Sequence, residues 1–216
     1  MERLPRRHDL VWLDPEAPRT VWGAGPDVVA DWIAASLPFV TARREGCRQD
    51  QLRLGFTRPG LGPRHRVAVT APVAALERQD EAPTLSSLLP KLPADWQSAL
   101  ADLDAALKAV GCVARLFGSA VTHCLTGQAT LRADSDLDLL LDCTETEQVE
   151  AVLSILAAAP TTPRLDGEIR FTSGWAVSWR ELAQVWPAAE AQVLAKADQA
   201  LALLRVGDLM GEPCLA

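Results

Sequence analysis

Ser135-Asp136-Leu137-Asp138-Leu139-Leu140-Leu141 is the stretch that decides the fold of the C-terminal half. Successive side chains of a β-strand point to opposite faces, so Asp136 and Asp138 share one face and the alternate leucines face the other. A run of adjacent leucines is typical of a strand that is buried on both faces, away from the sheet edge. The stretch therefore predicts a central strand that carries two carboxylates side by side, with Cα atoms roughly 7 Å apart.

A second motif, Leu116-Phe117-Gly118-Ser119, precedes the acidic strand. Gly118 permits a tight turn where backbone must approach a ligand closely. Ser119 is expected to cap the helix that follows and to direct N–H groups and a hydroxyl at an anion. A Gly-Ser pair alone is common at strand–helix turns. Its combination with the paired acids favours transfer of a phosphate-bearing group.

The paired acids predict a magnesium site. Asp136 and Asp138 supply the oxygen ligands that Mg²⁺ prefers alongside substrate phosphates. Two buried acids without a counter-charge are costly, and a metal would offset that cost. Asp166 and Glu168, on one face of a predicted strand, are candidates for a third carboxylate that holds metal or accepts a proton. We favour Asp166, although an ordinary acid beside a strand glycine is an equally simple interpretation.

Three other interpretations of the acidic segment stay open. It could be an edge strand with solvated acids. It could be a calcium loop that uses Asp134 and Glu145 as well, but Leu139 stands where the loop needs glycine. Ser119 and His123 could form a nucleophile and base on one helix, but nothing else in the chain resembles a hydrolase elbow.

The predicted element order gives an α/β (α+β) protein with a mixed sheet and packed helices. We expect a small N-terminal α/β module over residues 1–85 and a larger domain over residues 93–216. The boundary is placed near 82–93, where prolines interrupt periodic structure. The larger domain reads α-β-α-β-α-β-β-α, with the chain from Arg180 onward returning to helix after a hairpin.

The N-terminal module is expected to hold a short strand, a helix and a hairpin. The strand covers 10–13, the helix runs from a capping Asp27 to Ala35, and the hairpin strands flank a turn at 59–63. The tryptophans, and the cysteines at 112, 124 and 143, are expected to be mainly core residues.

Composition bounds the functional classes. The chain has 216 residues, is 49% hydrophobic and carries a net charge of −7, which argues against nucleic-acid binding. Residues 1–92 carry 13 basic and 11 acidic side chains, whereas residues 93–216 carry 8 and 17. There is no apolar run long enough for a membrane span and no secretory signal. Five scattered cysteines predict reduced thiols in a cytoplasmic protein.

Gly118-Ser119 together with Asp136-Leu137-Asp138 resembles the nucleotidyltransferase superfamily of DNA polymerase β type. Over nearly its whole length, the chain also resembles a narrower family, the malonate decarboxylase holo-acyl-carrier-protein synthases. These are phosphoribosyl-dephospho-CoA transferases. This resemblance is carried by Arg7-His8-Asp9-Leu10-Val11-Trp12-Leu13, Thr126-Gly127, Arg164-Leu165-Asp166-Gly167-Glu168-Ile169 and Ala176-Val177-Ser178-Trp179-Arg180-Glu181-Leu182.

The resemblance implies a nucleotidyltransferase-like catalytic domain and an N-terminal module that binds substrate or partner. The implied donor is triphosphoribosyl-dephospho-CoA, and the implied acceptor is a serine of the apo acyl-carrier subunit of malonate decarboxylase. Pyrophosphate would be released. The family's acid pair corresponds to Asp136 and Asp138, which would be catalytic and bind Mg²⁺, with Asp166 as the expected third catalytic acid.

Substrate contacts are expected from the remaining charged residues around the motifs. Gly118 and Ser119 would hold the departing pyrophosphate. The other candidates for substrate binding are Arg132, Glu168, Arg170, Arg180 and Lys196. A basic N-terminal group would steer an acidic carrier protein, unless it is simply a solvated face; it consists of Arg43, Arg44, Arg64 and Arg66.

Two other functions stay open at this point. The chain could be a nucleotidyltransferase that moves AMP or a similar group to a small molecule or protein. It could also be a non-catalytic binding module that keeps the fold, in which case loss of the Asp136 carboxylate would leave its pathway unchanged.

Overall fold

The computed structural model describes residues 3–58, 66–127, 130–132 and 135–211. Within these ranges two six-stranded sheets are formed, one by each half of the chain. Helices pack on both, which confirms the mixed α/β class. Four features of the sequence lie outside the described residues: the turn at 59–63, Arg64, Asp134 and Cys214.

The N-terminal half forms an antiparallel sheet with strand order β2-β5-β4-β3-β1-β6. Its elements, numbered in chain order, are β1 (Leu10–Leu13), β2 (Thr20–Trp22), α1 (Pro26–Ala34), β3 (Phe39–Thr41), β4 (Gln51–Thr57), β5 (Arg66–Pro72) and β6 (Leu76–Asp80). The predicted strand, helix and hairpin strands are therefore confirmed. The short strands β2 and β6 were not predicted, because neither has a fully buried residue to mark its alternation.

A core of alternating strand residues and one helix face holds this module together. Leu52, Leu54 and Phe56 of β4 point inward, and the Trp32 ring of α1 stacks on Phe56 with centroids 4.1 Å apart. The expected cap at Asp27 is wrong, because Gly25 occupies that position and Pro26 starts the helix.

The segment at 82–93, expected to be a linker, is folded. Thr84 caps a short helix, α2 (Leu85–Leu88), through its side chain, which accepts a hydrogen bond from the backbone N–H of Ser87. A 3₁₀ turn follows over 89–91. Leu85 and Leu92 lie in the C-terminal core. The prolines therefore shape short turns, and the leucines between them anchor the segment.

The C-terminal half forms a mixed sheet with strand order β12-β11-β10-β9-β8-β7. Strands β8 and β9 run parallel and their neighbours pair antiparallel. Its elements are α3 (Ala94–Ala109), β7 (Ala114–Phe117), α4 (Ser119–Thr126), β8 (Asp136–Cys143), α5 (Thr146–Ala158), β9 (Arg164–Phe171), β10 (Ala176–Ser178), α6 (Trp179–Val185), β11 (Gln192–Lys196) and β12 (Leu201–Arg205).

The predicted return to helix after Arg180 is wrong beyond Val185, where two further strands follow. Alanine and leucine favour helix locally. Here Val193 and Ala195 are fully buried in the sheet core while Leu194 between them is exposed, which is the alternation of a strand. Pairing of β11 with β10 and β12 therefore overrides local propensity.

Strand β8 lies between β7 and β9, so the interpretation as an edge strand is wrong. Leu139, Leu140 and Leu141 are all at most 1% exposed, as expected for a strand that is covered on both faces. The predicted core cysteines, Cys112, Cys124 and Cys143, are likewise buried. Across the described ranges, none of the helices has the length and apolar character needed to cross a membrane.

Candidate active site

The parallel register of β8 and β9 brings acids from two strands together. Asp138 of β8 is paired with Asp166 of β9. Two residues earlier on each strand, Asp136 is paired with Arg164. Since paired residues of neighbouring strands lie on the same face, Asp136, Asp138 and Asp166 line one patch of the sheet. The leucines between them, at 137 and 139, face the opposite, fully buried side.

Asp138 is the acid whose charge is least compensated. Its carboxylate is partly buried and has no hydrogen-bond or ion-pair partner among the residues that the structure describes. Burial, followed by the nearby charges of Asp166 and Asp136, raises the pKa of Asp138 to about 6, whereas Arg66 of β5 acts in the opposite direction. A carboxylate in this state fits a bound cation, because the cation would offset both burial and repulsion.

Asp136 already has a cationic partner. Both of its carboxylate oxygens accept hydrogen bonds from the guanidinium of Arg164. These bonds hold the pKa of Asp136 below its usual range, and the charge of Arg180 acts in the same direction. A metal at Asp136 would therefore have to replace Arg164, whose side chain is largely exposed.

Asp166 is fixed by its own strand. One of its carboxylate oxygens accepts a hydrogen bond of 2.8 Å from the backbone N–H of Gly167. Within the described ranges, no three His, Cys, Asp or Glu side chains are grouped closely enough to hold a metal by themselves. The acids therefore fit Mg²⁺ only as a partial site, completed by phosphate oxygens and water.

The turn at Gly118 packs directly against Asp138. Gly118 has a φ of 73°, and a Cβ atom there would lie 2.1 Å from Oδ2 of Asp138. Gly118 is also the N-cap of α4, without a side-chain capping bond, so the expected capping role of Ser119 is wrong. Ser119 is instead the first helical residue, and its carbonyl oxygen accepts a hydrogen bond from the hydroxyl of Thr130.

Two of the predicted phosphate partners, Arg170 and Lys196, lie on strands β9 and β11, whereas Arg180 lies in α6 and Arg132 in the segment before β8. Each of them bonds to protein groups. Arg170 donates two hydrogen bonds to Asp142, and Arg180 donates two to the carbonyl of Leu165. Lys196 donates to Glu168 at 2.9 Å. Arg132 donates its backbone N–H to the hydroxyl of Ser135. Of these cations, Arg180 acts electrostatically on an acid of the patch, Asp136.

Glu168 is the centre of a separate buried cluster. Its carboxylate accepts hydrogen bonds from Arg7 at 2.9 and 3.0 Å and from Lys196, and it lies 3.4 Å from Nε2 of His8. Burial acts to raise the pKa of Glu168, but the contact with His8 and the charge and hydrogen bonds of Arg7 hold it well below its usual range. Its oxygens are therefore occupied by protein groups, which leaves Asp166 as the third acid of the patch.

Sequence reasoning missed the part that the N-terminal module has in this region. Arg7 and His8 were noted only as part of a family motif, although they contact Glu168 across a separation of 161 and 160 residues. Arg66 was expected to steer a carrier, yet it lies close enough to act on Asp138. The signal in the sequence that could have indicated these contacts was the run Arg7-His8-Asp9, in which three ionisable side chains follow one another.

The proposed basic face of the N-terminal module is not continuous. Arg43 pairs with Glu45, and Arg44 is buried, so Arg44 is not part of a solvated basic surface. Arg66 is exposed.

Comparison with known proteins identifies relatives over nearly the whole chain. Residues 84–206 match the family model described as "Phosphoribosyl-dephospho-CoA transferase MdcG C-terminal domain", and residues 6–81 match the corresponding N-terminal domain. A phosphoribosyl-dephospho-CoA transferase of Xanthomonas campestris pv. campestris (strain 8004) is 38% identical over 97% of this chain and 99% of its own length.

More distant relatives carry the same description. The Pseudomonas aeruginosa protein is 32% identical over 93% of this chain and 92% of its own length. The Bradyrhizobium diazoefficiens protein is 30% identical over 84% of this chain and 83% of its own length. No solved structure matches the chain.

Proposed function

The chain belongs to the phosphoribosyl-dephospho-CoA transferase family and is a transferase, and from that membership we propose its substrates. The donor is triphosphoribosyl-dephospho-CoA, and the acceptor is a serine hydroxyl of the apo acyl-carrier subunit of malonate decarboxylase. The observation that supports this proposal is the uncompensated carboxylate of Asp138, held beside Asp166 and against the Gly118 turn.

The reaction exchanges one phosphoester bond for another. The serine oxygen of the carrier bonds to the phosphorus next to the ribose, and the bond from that phosphorus to pyrophosphate breaks. The serine proton passes to Asp166, whose second carboxylate oxygen has no hydrogen bond within the described ranges. Pyrophosphate leaves as the anion.

Asp136 and Asp138 are the residues that would hold Mg²⁺. When bound, the ion would supply charge neutralisation for the triphosphate. Arg164 keeps Asp136 ionised and in place until then. The proximity of Asp166 and Asp138 is costly at neutral pH without a cation, and this favours binding of metal and donor together.

The departing pyrophosphate would lie at the Gly118 turn. The first backbone N–H groups of α4, from Ser119 onward, have no partner within the helix and can donate to phosphate oxygens. Arg66 of β5 acts electrostatically on Asp138, and Arg180 of α6 acts on Asp136, so both would add positive charge near the donor. The carrier would approach from the N-terminal module, with no need for nucleic acid or membrane, and we place the reaction in the cytoplasm.

Mass spectrometry of the carrier tests this function. The purified protein is incubated with apo carrier, Mg²⁺ and either the dephospho-CoA donor or ATP. We expect the carrier to gain the mass of the phosphoribosyl-dephospho-CoA group, with one pyrophosphate released per carrier. An adenylyl mass gained from ATP alone would favour the second candidate, nucleotidyl transfer of AMP.

Two variants separate catalysis from passive binding. Asp138→Asn should lower single-turnover transfer by several orders of magnitude, because metal-mediated stabilisation of phosphoryl transfer is a large effect. Asp50→Asn is the matched control, since Asp50 is an exposed acid that pairs with Arg48 in the N-terminal half. Equal rates for both variants would show that the acidic patch has no catalytic role.

A further inference from the structure

The turn that contains Arg7 and His8 contacts residues of both sheets. It is anchored on both sides, since the backbone N–H of His8 donates to Thr41 of β3 and that of Arg7 donates to Asp198 after β11. His8 has a φ of 74°, a left-handed conformation that is uncommon for a residue with a side chain. The surroundings therefore fix the position of the His8 ring.

One face of the His8 ring covers Phe117. The two rings are stacked, with centroids 3.9 Å apart and an interplanar angle of 26°. Phe117 is paired with Asp138 in the sheet and directly precedes Gly118. His8 thus lies on the residue that joins the acidic strand to the phosphate-binding turn.

The edge of the same ring faces the Glu168 cluster. Nε2 of His8 lies 3.4 Å from a Glu168 oxygen and 3.3 Å from a terminal nitrogen of Arg7. Glu168 follows Asp166 by two residues on the same strand face. The ring therefore links Phe117 on one side of the acidic patch to β9 on the other.

The Gly118 turn has little freedom to move. Its Cα hydrogen already points at Oδ2 of Asp138, where a methyl group would overlap that oxygen. A displacement of Phe117 by a fraction of an ångström would carry Gly118 with it and disturb Asp138. Small misplacements of reacting groups reduce rates strongly, even when they arise outside the site.

We propose that His8 is a positioning residue for group transfer, which acts through Phe117 to hold the Gly118 turn against Asp138. The N-terminal module thereby completes the catalytic site, in addition to any contact that it makes with the carrier. This inference rests on the proposed function of the Gly118 turn as the site for the leaving phosphates.

Three variants separate the two contacts of His8. His8→Ala removes both, His8→Gln keeps a polar group near Glu168 without the ring, and His8→Phe keeps the stacked ring. We expect kcat/KM for the donor to fall about tenfold or more in the Ala and Gln variants and to recover substantially in the Phe variant. KM for the carrier should not change. Rates are measured at a temperature at which every variant is folded.

Phe56→Leu is the matched control for loss of a stacked ring. It disrupts the Trp32–Phe56 pair within the N-terminal core. We expect it to lower the thermal midpoint and to leave kcat/KM of the folded enzyme unchanged. A wild-type rate in folded His8→Ala would overturn the proposal, as would failure of His8→Phe to recover activity beyond His8→Gln. A rise in the carrier KM alone would overturn it too, since His8 would then act in carrier binding.

The same variants distinguish this inference from the proposed substrates. If the wild-type protein transfers AMP from ATP instead, the proposed substrates are wrong. The His8 series is then measured with ATP, whose leaving phosphates would occupy the same turn. A loss of rate that recovers in His8→Phe would still support the positioning role, and unchanged rates would refute it.

Discussion

Asp138, a metal ligand of the proposed function, is a residue whose charge is costly to the folded protein. Its pKa is raised to about 6 by burial and by neighbouring acids, so the folded protein holds a proton there that the unfolded chain would release at lower pH. The folded state is therefore favoured below the usual pKa of an aspartate. That advantage is lost as the pH rises through about 6, where the carboxylate becomes charged.

Replacing Asp138 by asparagine is expected to stabilise the protein while inactivating it. At a pH of about 7.5 and without Mg²⁺, the free energy of unfolding should rise by up to about 3 kcal/mol, the equivalent of about two pKa units. Urea denaturation at this pH and at about pH 3.5 provides the measurement. The difference from wild type should vanish at the lower pH, where both side chains are neutral. If the variant is less stable than wild type at the higher pH, the charged Asp138 carboxylate does not destabilise the folded protein as predicted.

The sequence predicted the direction of some individual side chains but not their partners. Period-two alternation was enough to place Asp136 and Asp138 on one face, because side-chain direction in a strand follows from the backbone. It could not predict that Arg164 would pair with Asp136, since that contact depends on the register between two strands. The capping role expected of Ser119 is also wrong. The helix begins one residue earlier than that role requires, because Gly118, with its positive φ, takes the cap position.

At the scale of elements, the parallel contact of β8 and β9 depends on Gly167. Its φ is 126°, and a Cβ atom there would lie 1.9 Å from the carbonyl oxygen of Leu139 on β8. That oxygen belongs to the backbone of a buried strand and cannot move aside cheaply. The close approach of the two strands, which brings Asp138 beside Asp166, therefore requires glycine.

Gly167→Ala should destabilise the protein far more than Gly174→Ala. Gly174 also has a positive φ, of 85°, but no atom lies within 4 Å of its added Cβ position. We expect about 1 kcal/mol for Gly174→Ala, from backbone strain alone, and on the order of 3 kcal/mol or more for Gly167→Ala, which adds the clash. Chemical denaturation measures both values. Similar losses would show that the strands can separate to accept the methyl group.

Helices and strands were predicted correctly where apolar residues recur with a clear period along the sequence. They were missed where the local composition favours another structure. The helix over residues 94–109 and the strand β8 were predictable because their apolar residues recur at helical or strand spacing. β11 and β12 were missed because their alanines and leucines are strong helix formers. Their strand structure comes from pairing with β10 and with each other, which no local window contains.

At the scale of the whole molecule, the Glu168 cluster joins the two halves. Arg7 from the N-terminal half and Lys196 from the far end of the chain both bond to this one buried carboxylate. The pKa of Glu168 is held well below its usual range, although burial opposes this, so the cluster stabilises the folded state above the pKa of the unfolded chain. That contribution is lost as the pH falls below about 4.5.

Glu168→Gln is expected to cost on the order of 3–5 kcal/mol at neutral pH, because it leaves the largely covered guanidinium of Arg7 without its counter-charge. The variant should also lose less stability than wild type on acidification below about pH 4.5, since it lacks the carboxylate that titrates. Urea denaturation across this range tests both statements. Glu190→Gln, which removes an exposed partner of Arg205, is the control and should change stability by less than about 1 kcal/mol. Equal effects of the two variants would show that the cluster is dispensable.

The sequence predicted two folded halves but not the contacts between them. Charge totals and proline positions describe each half separately. The contact of Arg7 with Glu168 spans 161 residues, and no spacing rule connects positions so far apart. Arg7 and His8 were noted as part of a family motif, but their contacts with Glu168 became visible only in the folded structure.

That long separation has a consequence for biosynthesis. A ribosome that makes this chain exposes Arg7 early, but the carboxylate that it binds emerges 161 residues later. The first sheet can pair its strands meanwhile, whereas the guanidinium must stay hydrated until the last third of translation is under way. Closing so large a loop is entropically costly and slow. Catalytic competence should therefore be among the last properties that a newly made molecule acquires.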